Sequence, residues 1–150
     1  MSFEPRGSIA GDLTQALTWF KASNGILITA GNAVTLETTG FVDNLANGST
    51  EPLLGVAADT MRGDSSSTEI PVYCDPNQTF YNDTDASLTN ANVGEAFRTV
   101  SASQIDGSVG AANSAASFIL IKRDPDGDAD LSKGLFKPYR TQLLSNKLNT

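Results

Sequence analysis

Residues 26–38 read ILITAGNAVTLET, two short apolar segments on either side of a Gly-Asn pair. In the second segment Val34, Leu36 and Thr38 alternate with other residues, which is the period of a strand with one buried face. A glycine at the first position of a two-residue turn is typical of a β-hairpin. This stretch therefore predicts a hairpin and indicates a chain built mainly from strands.

Short apolar segments continue along the chain, separated by segments rich in Asn, Asp, Ser and Gly. The predicted strands lie at 41–42, 53–58, 69–74, 79–81, 95–102 and 117–122. The predicted loops lie at 43–51, 62–67, 82–94 and 103–114. About seven or eight short strands at this spacing are typical of a small β-barrel or a β-sandwich, so the predicted fold class is mainly β.

Residues 1–24 are predicted to form an N-terminal arm that precedes a β domain over 25–130. The apolar residues at helical spacing in this arm are Leu13, Ala16, Leu17 and Phe20. Asp12 stands at the N-cap position before them, which predicts a short helix over 12–22.

Aromatic residues of the arm offer two interpretations. Phe3, Trp19 and Phe20 lie outside the predicted hairpin-rich body. They either seal the core of their own domain or anchor the chain in a partner. We treat all three as candidate docking residues.

Residues 131–150 are predicted to form a basic amphipathic tail, because they hold four basic residues and no acidic one. A short helix over 139–147 is predicted, after Pro138. The candidate docking residues of this tail are Phe136, Tyr139, Arg140, Leu143 and Leu144. The tail either meets an acidic partner surface or remains solvated.

The acidic residues are concentrated in the middle of the chain. Residues 25–130 hold 15 acidic and 4 basic residues, and the whole chain carries a net charge of −7. Because duplex binding draws most of its affinity from neutralising phosphates, this body is not expected to bind nucleic acid. No apolar run approaches the roughly 20 residues that a membrane helix needs, and no export signal precedes the body, so no membrane partner is expected.

Catalytic patterns are sparse. The chain has no histidine, which excludes Ser-His-Asp, Cys-His and HExxH arrangements. It also has neither a Rossmann nor a P-loop glycine pattern, so no cofactor is expected. Cys74, the single cysteine, lies in an apolar run and is interpreted as a buried small residue. The sequence thus favours a binding or structural protein over an enzyme, although a pair of distant carboxylates stays an open alternative.

One acidic stretch imitates a calcium loop. Residues 124–130 read DPDGDAD, with aspartates at the first, third, fifth and seventh positions. Ala129 stands where an EF-hand needs glycine, and Leu135 stands where it needs a bidentate glutamate. A solvated acidic turn is therefore favoured over a weak Ca²⁺ or Mg²⁺ site, and no metal ligand is predicted.

The order of segments resembles that of a known family. The resemblance covers about residues 25–123, and the segments that carry it are the Gly-led hairpin, Leu53-Leu54-Gly55-Val56-Ala57, the Ile-Pro-Val strand at 70–72, an Asn/Thr-rich middle and the late strand Phe118-Ile119-Leu120-Ile121. In this order the chain resembles the head decoration, or capsid cement, proteins of tailed phages.

That resemblance implies a β-tulip or small β-barrel body, commonly trimeric, that binds the outer surface of the capsid at threefold and quasi-threefold junctions. It implies the major capsid protein and further copies of the chain as partners, a location in the virion, and no catalytic residues. A tail, fibre or receptor-binding β-module of a virion is the alternative, although the sequence has neither the repeats nor the heptad stalk expected of a fibre.

Overall fold

The computed structural model describes residues 2–8, 17–46, 51–64, 68–110, 117–123, 133–139 and 141–142. Within these residues the chain forms thirteen strands and one three-residue 3₁₀ turn at Asn90–Asn92. The strands are β1 (Glu4–Ser8), β2 (Leu17–Lys21), β3 (Leu27–Ile28), β4 (Ala33–Leu36), β5 (Val42–Asn44), β6 (Gly55–Ala57), β7 (Met61–Arg62), β8 (Glu69–Tyr73), β9 (Gln78–Asp83), β10 (Ala96–Ser101), β11 (Gln104–Gly110), β12 (Phe118–Arg123) and β13 (Lys133–Pro138). In the described part of the chain, no helix has the length and apolarity needed to cross a membrane.

The strands form three antiparallel sheets. The larger sheet has six strands in the order β1-β9-β13-β12-β10-β11, and the second has five in the order β2-β8-β6-β4-β5. A small sheet pairs β3 with β7. No ladder among the described residues closes a sheet into a barrel, so the fold is mainly β and consistent with a β-sandwich.

Both faces of the five-stranded sheet are buried. On one face Ala33 and Val56, which are cross-strand partners, pack against the six-stranded sheet. On the other face Ala57 and Val72, also partners, join a second core that includes Ile28 of β3. Because successive side chains of a strand point to opposite faces, the five-stranded sheet is the middle layer of the molecule.

Phenylalanines dominate the first core. Five of them are at most 1% exposed: Phe3, Phe80, Phe97, Phe118 and Phe136. The rings of Phe3 and Phe118 stack at 4.4 Å, and Phe3 also meets Phe80 edge to face at 6.1 Å. Each of these side chains buries a large apolar area, so this core contributes much of the stability of the fold.

The predicted strands at 41–42, 53–58, 69–74, 79–81, 95–102 and 117–122 are confirmed as β5, β6, β8, β9, β10 and β12, with small shifts of their ends. The predicted hairpin is wrong. Its turn forms, since the Asn32 N–H donates to the Thr29 carbonyl at 3.0 Å and Gly31 has a φ of 88°. The strands on the two sides of this turn then join different sheets: β3 pairs with β7, and β4 lies in the five-stranded sheet. Ile28 of β3 packs on the outer face of the five-stranded sheet and is fully buried there.

The helix predicted over 12–22 is wrong for the part that the structure describes, because residues 17–21 form β2. Five consecutive cross-strand pairings with β8 supply its ladder. Thr18, Trp19 and Phe20 are residue types that favour strands, and Phe20 packs against the second core. Residues 11–16 lie outside the described residues.

Two further corrections concern strands at positions predicted as loop or tail. Residues 104–110 form β11, because Ile105 is fully buried in the first core and pairs with Thr99. Residues 133–138 form β13, which lies inside the six-stranded sheet between β9 and β12. The predicted helix over 139–147 falls mostly outside the described residues, and 141–142 contact the body.

A single side chain completes the five-stranded sheet where β6 ends. Gln142 is fully buried, its Oε1 accepts from the Leu36 N–H, and its Nε2 donates to the Leu36 carbonyl, both at 2.8 Å. Its backbone N–H donates to the Leu53 carbonyl at 2.8 Å. The amide of Gln142 thus takes the place of a strand beside Leu36, because β6 pairs with β4 only at Ala33 and Val34.

We expect Gln142→Ala to lower the free energy of unfolding by about 2–4 kcal/mol, because it leaves the N–H and the carbonyl of Leu36 without partners. Urea denaturation followed by circular dichroism measures this change. Asn77→Ala, at an exposed turn position, is the control and should change stability by less than about 0.5 kcal/mol. Equal effects of the two substitutions would contradict this role of Gln142.

Gly55 allows β6 to approach β8. A Cβ atom at this position would collide with the Tyr73 carbonyl oxygen, which is backbone and cannot move alone. We expect Gly55→Ala to cost at least about 2 kcal/mol through overpacking. Gly94 has a φ of 89° and nothing within 4 Å, so Gly94→Ala should cost only about 1 kcal/mol. Thermal denaturation compares the two, and a Gly55→Ala protein as stable as Gly94→Ala would contradict the close approach.

Candidate docking surface

The two large sheets have four edge strands, β1 and β11 in one and β2 and β5 in the other. An edge strand presents unpaired backbone groups that can pair with another chain. Folded proteins commonly block such edges with proline, bulges, charges or covering segments. The four edges of this protein differ in these features.

The edge strand β1 carries several blocking features. Pro5 lacks a backbone N–H, and the pairing with β9 is irregular between Pro5 and Gly7. Gly7 has a φ of 98°, which bends the strand. The side chains of Glu4 and Arg6 form an exposed ion pair at 3.2 Å. This edge is therefore unsuited to regular pairing with a further strand.

Covering segments occupy β11 and β5. Thr84 forms a parallel bridge to Ile105 of β11, and the Asp85 N–H donates to the Ile105 carbonyl at 3.1 Å. On β5, Ala22 forms a parallel bridge to Val42, and the Ser23 N–H donates to the Val42 carbonyl at 2.9 Å. Each of these edges thus already has a backbone partner at one residue, Ile105 on β11 and Val42 on β5.

The edge of β2 carries a single one of these features among the described residues, the charge of Lys21 at its end. Its sequence LTWFK contains no proline or glycine, and its register with β8 is continuous from Leu17–Tyr73 to Lys21–Glu69. Among the described residues, no strand pairs with its other side. Within the part of the chain that the structure describes, β2 is thus the regular, open edge of the five-stranded sheet.

Backbone hydrogen bonds fix which groups of β2 face outward. The Ala22 N–H donates to the Thr68 carbonyl at 2.8 Å, so residues at even positions, down to Thr18, direct their backbone groups toward β8. Leu17, Trp19 and Lys21 therefore direct their N–H and carbonyl groups away from β8. The Ser23 N–H, bonded to Val42 on the outer side, follows the same alternation.

Large apolar side chains accompany these open backbone groups. Trp19 is 57% exposed and Leu17 is 44% exposed. They lie on the same face of the strand, two positions apart, beside Pro71 and Tyr73 of β8. An exposed tryptophan and leucine on an open strand edge are typical of a protein-association surface. We call Leu17, Trp19 and Lys21 the β2 edge.

The structure separates the residues proposed for docking. Trp19 is exposed, as a docking residue must be, whereas Phe20 lies on the opposite face of β2 and is half-buried against the second core. Tyr139 is half-buried, and its N–H donates to the Ser117 carbonyl at 2.8 Å. Arg140, Leu143 and Leu144 lie outside the described residues.

Phe3 and Phe136 are corrected from docking residues to core residues, since they are 1% and 0% exposed. Phe3 reaches the core because its N–H donates to the Gly31 carbonyl at 2.9 Å, which brings it between the sheets. Phe136 is buried because β13 is an inner strand. Sequence reasoning missed Leu17 as an association residue, because its spacing to Phe20 was interpreted as helical.

A polar cleft of about 150 Å³ lies at the β1 side of the six-stranded sheet. Tyr81 forms one wall, with the Arg6 guanidinium 5.1 Å and the Lys133 ammonium 6.0 Å from its ring centre. Glu4, Asp83 and Lys133 line the cleft and Arg6 lies nearby, so acidic and basic groups are mixed there. Such a mixed surface is typical of solvated charged residues and indicates no particular ligand.

Metal-binding chemistry is absent from the described residues, since they contain no group of three or more Asp, Glu, Cys or His side chains that could hold an ion. The DPDGDAD stretch at 124–130 lies outside the part of the chain that the structure describes. Its low affinity for Ca²⁺ stays a prediction.

Burial raises the pKa of the Cys74 thiol from its usual value of 9.0 to about 12. The thiolate fraction at pH 8 is then roughly a thousandfold lower than in an unfolded chain, so we expect native Cys74 to react with a disulfide reagent at least about 100-fold more slowly than after denaturation. Because the unfolded thiol ionises first, stability should fall as the pH rises from 9 to 12. Reaction at the rate of a free thiol in the native protein would contradict this burial.

Comparison with known proteins gave no match: no family model matches the chain, and neither does any curated protein.

Proposed function

We propose that the protein is a structural component of a virion that binds the outer surface of a phage capsid and cements the shell. The single observation that carries this proposal is the β2 edge, an open strand that displays Trp19 and Leu17 to solvent. A protein of this kind works by association, and the resemblance to capsid decoration proteins supplies the partner, the major capsid protein.

Physical requirements for a cement protein agree with the features of this chain. A clamp between capsid subunits needs apolar contacts and strand edges that can accept a further strand, and it needs no nucleophile. Many copies that each contribute a few kcal/mol of net binding make a shell hard to rupture. We accordingly propose a structural and non-catalytic role at threefold or quasi-threefold junctions, with the protein present as a trimer.

We propose in addition that the five-stranded sheet curves toward a small barrel. The resemblance implies a β-tulip or small barrel, and one contact supports it: Ala22, just after β2, bridges to Val42 of β5. β2 and β5 are the two ends of the five-stranded sheet, so this bridge brings its opposite edges together at one point. A body that curves in this way leaves the rest of the β2 edge free for a partner.

The test is binding of the purified chain to icosahedral particles of the phage whose genome encodes it. We expect the intact chain to saturate sites at threefold or quasi-threefold positions, as seen by electron microscopy of the particles. Trp19→Ala should lower the affinity at least about tenfold, because truncating an aromatic anchor costs about 2–4 kcal/mol.

Val100→Ala is the matched control, since Val100 is 46% exposed but lies on β10. It should leave particle occupancy and melting temperature unchanged. Binding of the intact chain only to tails or fibres would favour the alternative virion module. No binding to any particle would refute the proposed function.

A further inference from the structure

We propose that the β2 edge pairs with the β2 edge of a second copy of the chain, antiparallel and about a twofold axis at Trp19. The pairing requires no capsid: it assigns the β2 edge to a second copy in the free protein, whereas the proposed function assigns the same edge to shell protein on the particle.

Backbone geometry selects this register. In an antiparallel pair, residues whose N–H and carbonyl groups face each other exchange two hydrogen bonds. A twofold axis at Trp19 places Trp19 opposite its copy and Leu17 opposite Lys21 of the second copy. The outward N–H and carbonyl groups of Leu17, Trp19 and Lys21 then all face the outward groups of a residue in the second copy. Moving the axis to Thr18 or Phe20 leaves one fewer such pair within the strand.

Charges also fit this register. Lys21 is the one charged residue of β2, and the twofold axis places it opposite Leu17 instead of opposite a second lysine. On its other side Lys21 stands opposite Glu69 of β8. Each end of the interface therefore carries one lysine next to one glutamate, and no like charges face each other across the pair.

Apolar side chains become continuous across the two copies. Leu17 and Trp19 of each copy lie on the same face as Tyr73 of β8, so pairing joins two exposed patches into one stripe. Trp19 stands opposite Trp19 of the second copy at the centre of the interface, and cross-strand aromatic pairs are among the most favourable in sheets. The two tryptophans therefore lie where burial on association is greatest.

β5 limits the length of the interface. Because the Ser23 N–H is bonded to the Val42 carbonyl, the outer side of the chain is occupied after Lys21. A second copy can thus pair with Leu17–Lys21 and no further. The result is a closed, isologous contact between two copies, distinct from a threefold contact within a trimer.

Disulfide trapping tests the register, with all proteins in a Cys74→Ala background. A mixture of Leu17→Cys and Lys21→Cys copies retains Trp19 and should form a covalent dimer on mild oxidation, because opposed Cα atoms lie about 5.5 Å apart. Either variant alone should cross-link at least tenfold more slowly. In either variant alone, the two copies of the introduced cysteine are four residues out of register and about 13 Å apart along the strands.

A second pair of variants tests the backbone groups themselves. Lys21→Pro removes an outward N–H without disturbing the pairing with β8, whereas Lys21→Ala removes only the charge. With Trp19 retained and the dimer followed by light scattering over a range of concentrations, the proline should weaken dimer formation at least tenfold and the alanine by less than about threefold. Unchanged melting temperatures show that both variants are folded.

Three results would overturn the pairing: self-cross-linking of Leu17→Cys as fast as that of the mixture, equal effects of proline and alanine, or light scattering that gives the same mass for the intact chain and Trp19→Ala. If Trp19→Ala loses particle binding while the isolated chain proves monomeric, the β2 edge docks on shell protein directly. The proposed function would then stand and this inference would fall. Pairing without particle binding would be the reverse outcome.

Discussion

Ala33 and Val34 are neighbours in β4, both are fully buried, and they belong to different cores. The burial of both faces of the five-stranded sheet is the constraint on which the rest of the fold depends. One face needs Phe3 and the six-stranded sheet with its four buried phenylalanines, and the other needs Ile28 and its neighbours as a cover. The sheet therefore cannot form stably before distant parts of the chain have folded over it.

Described segments near both ends of the chain supply part of that cover. Phe3 enters the first core beside Phe118, and β13 separates β9 from β12 inside the larger sheet. Gln142 then returns to the five-stranded sheet and pairs with Leu36. Removal of 133–142 would open both sheets, so a basic tail with an independent docking role can begin only after Gln142.

Periodicity predicted the strands that carry clear apolar signals and failed where tertiary contacts decide. β8 and β12 were predicted because their apolar segments are bounded by turn residues. β11 was missed because Ile105 and Val109 are its two large apolar residues, and a Ser/Gly-rich segment is typical of loops. β13 alternates buried Gly134, Phe136 and Pro138 with half-buried residues, but its lysines and proline suggested a tail.

Of the β2 edge, the sequence predicted Trp19 as a docking residue but did not predict the strand that exposes it. Trp19 stood out as an aromatic residue beyond the predicted body, but its exposure depends on the strand that contains it. Leu17 and Phe20 are three positions apart, so the same two residues fit one face of a helix or opposite faces of a strand. Pairing with β8 decided between these, and no local pattern in residues 12–22 contains that information.

Edge protection gives the strongest argument that association through β2 is selected. Proline, a bulge and charges block β1, while backbone bonds from neighbouring segments occupy β11 and β5. Among the described residues, three of the four edges of the two large sheets thus have the usual defences against strand pairing. At the fourth, a regular strand combines open backbone groups with a tryptophan and a leucine at the surface, features that favour aggregation unless a specific partner covers them. A chain that blocks three edges and leaves this one regular and apolar has the pattern of a strand kept open for association.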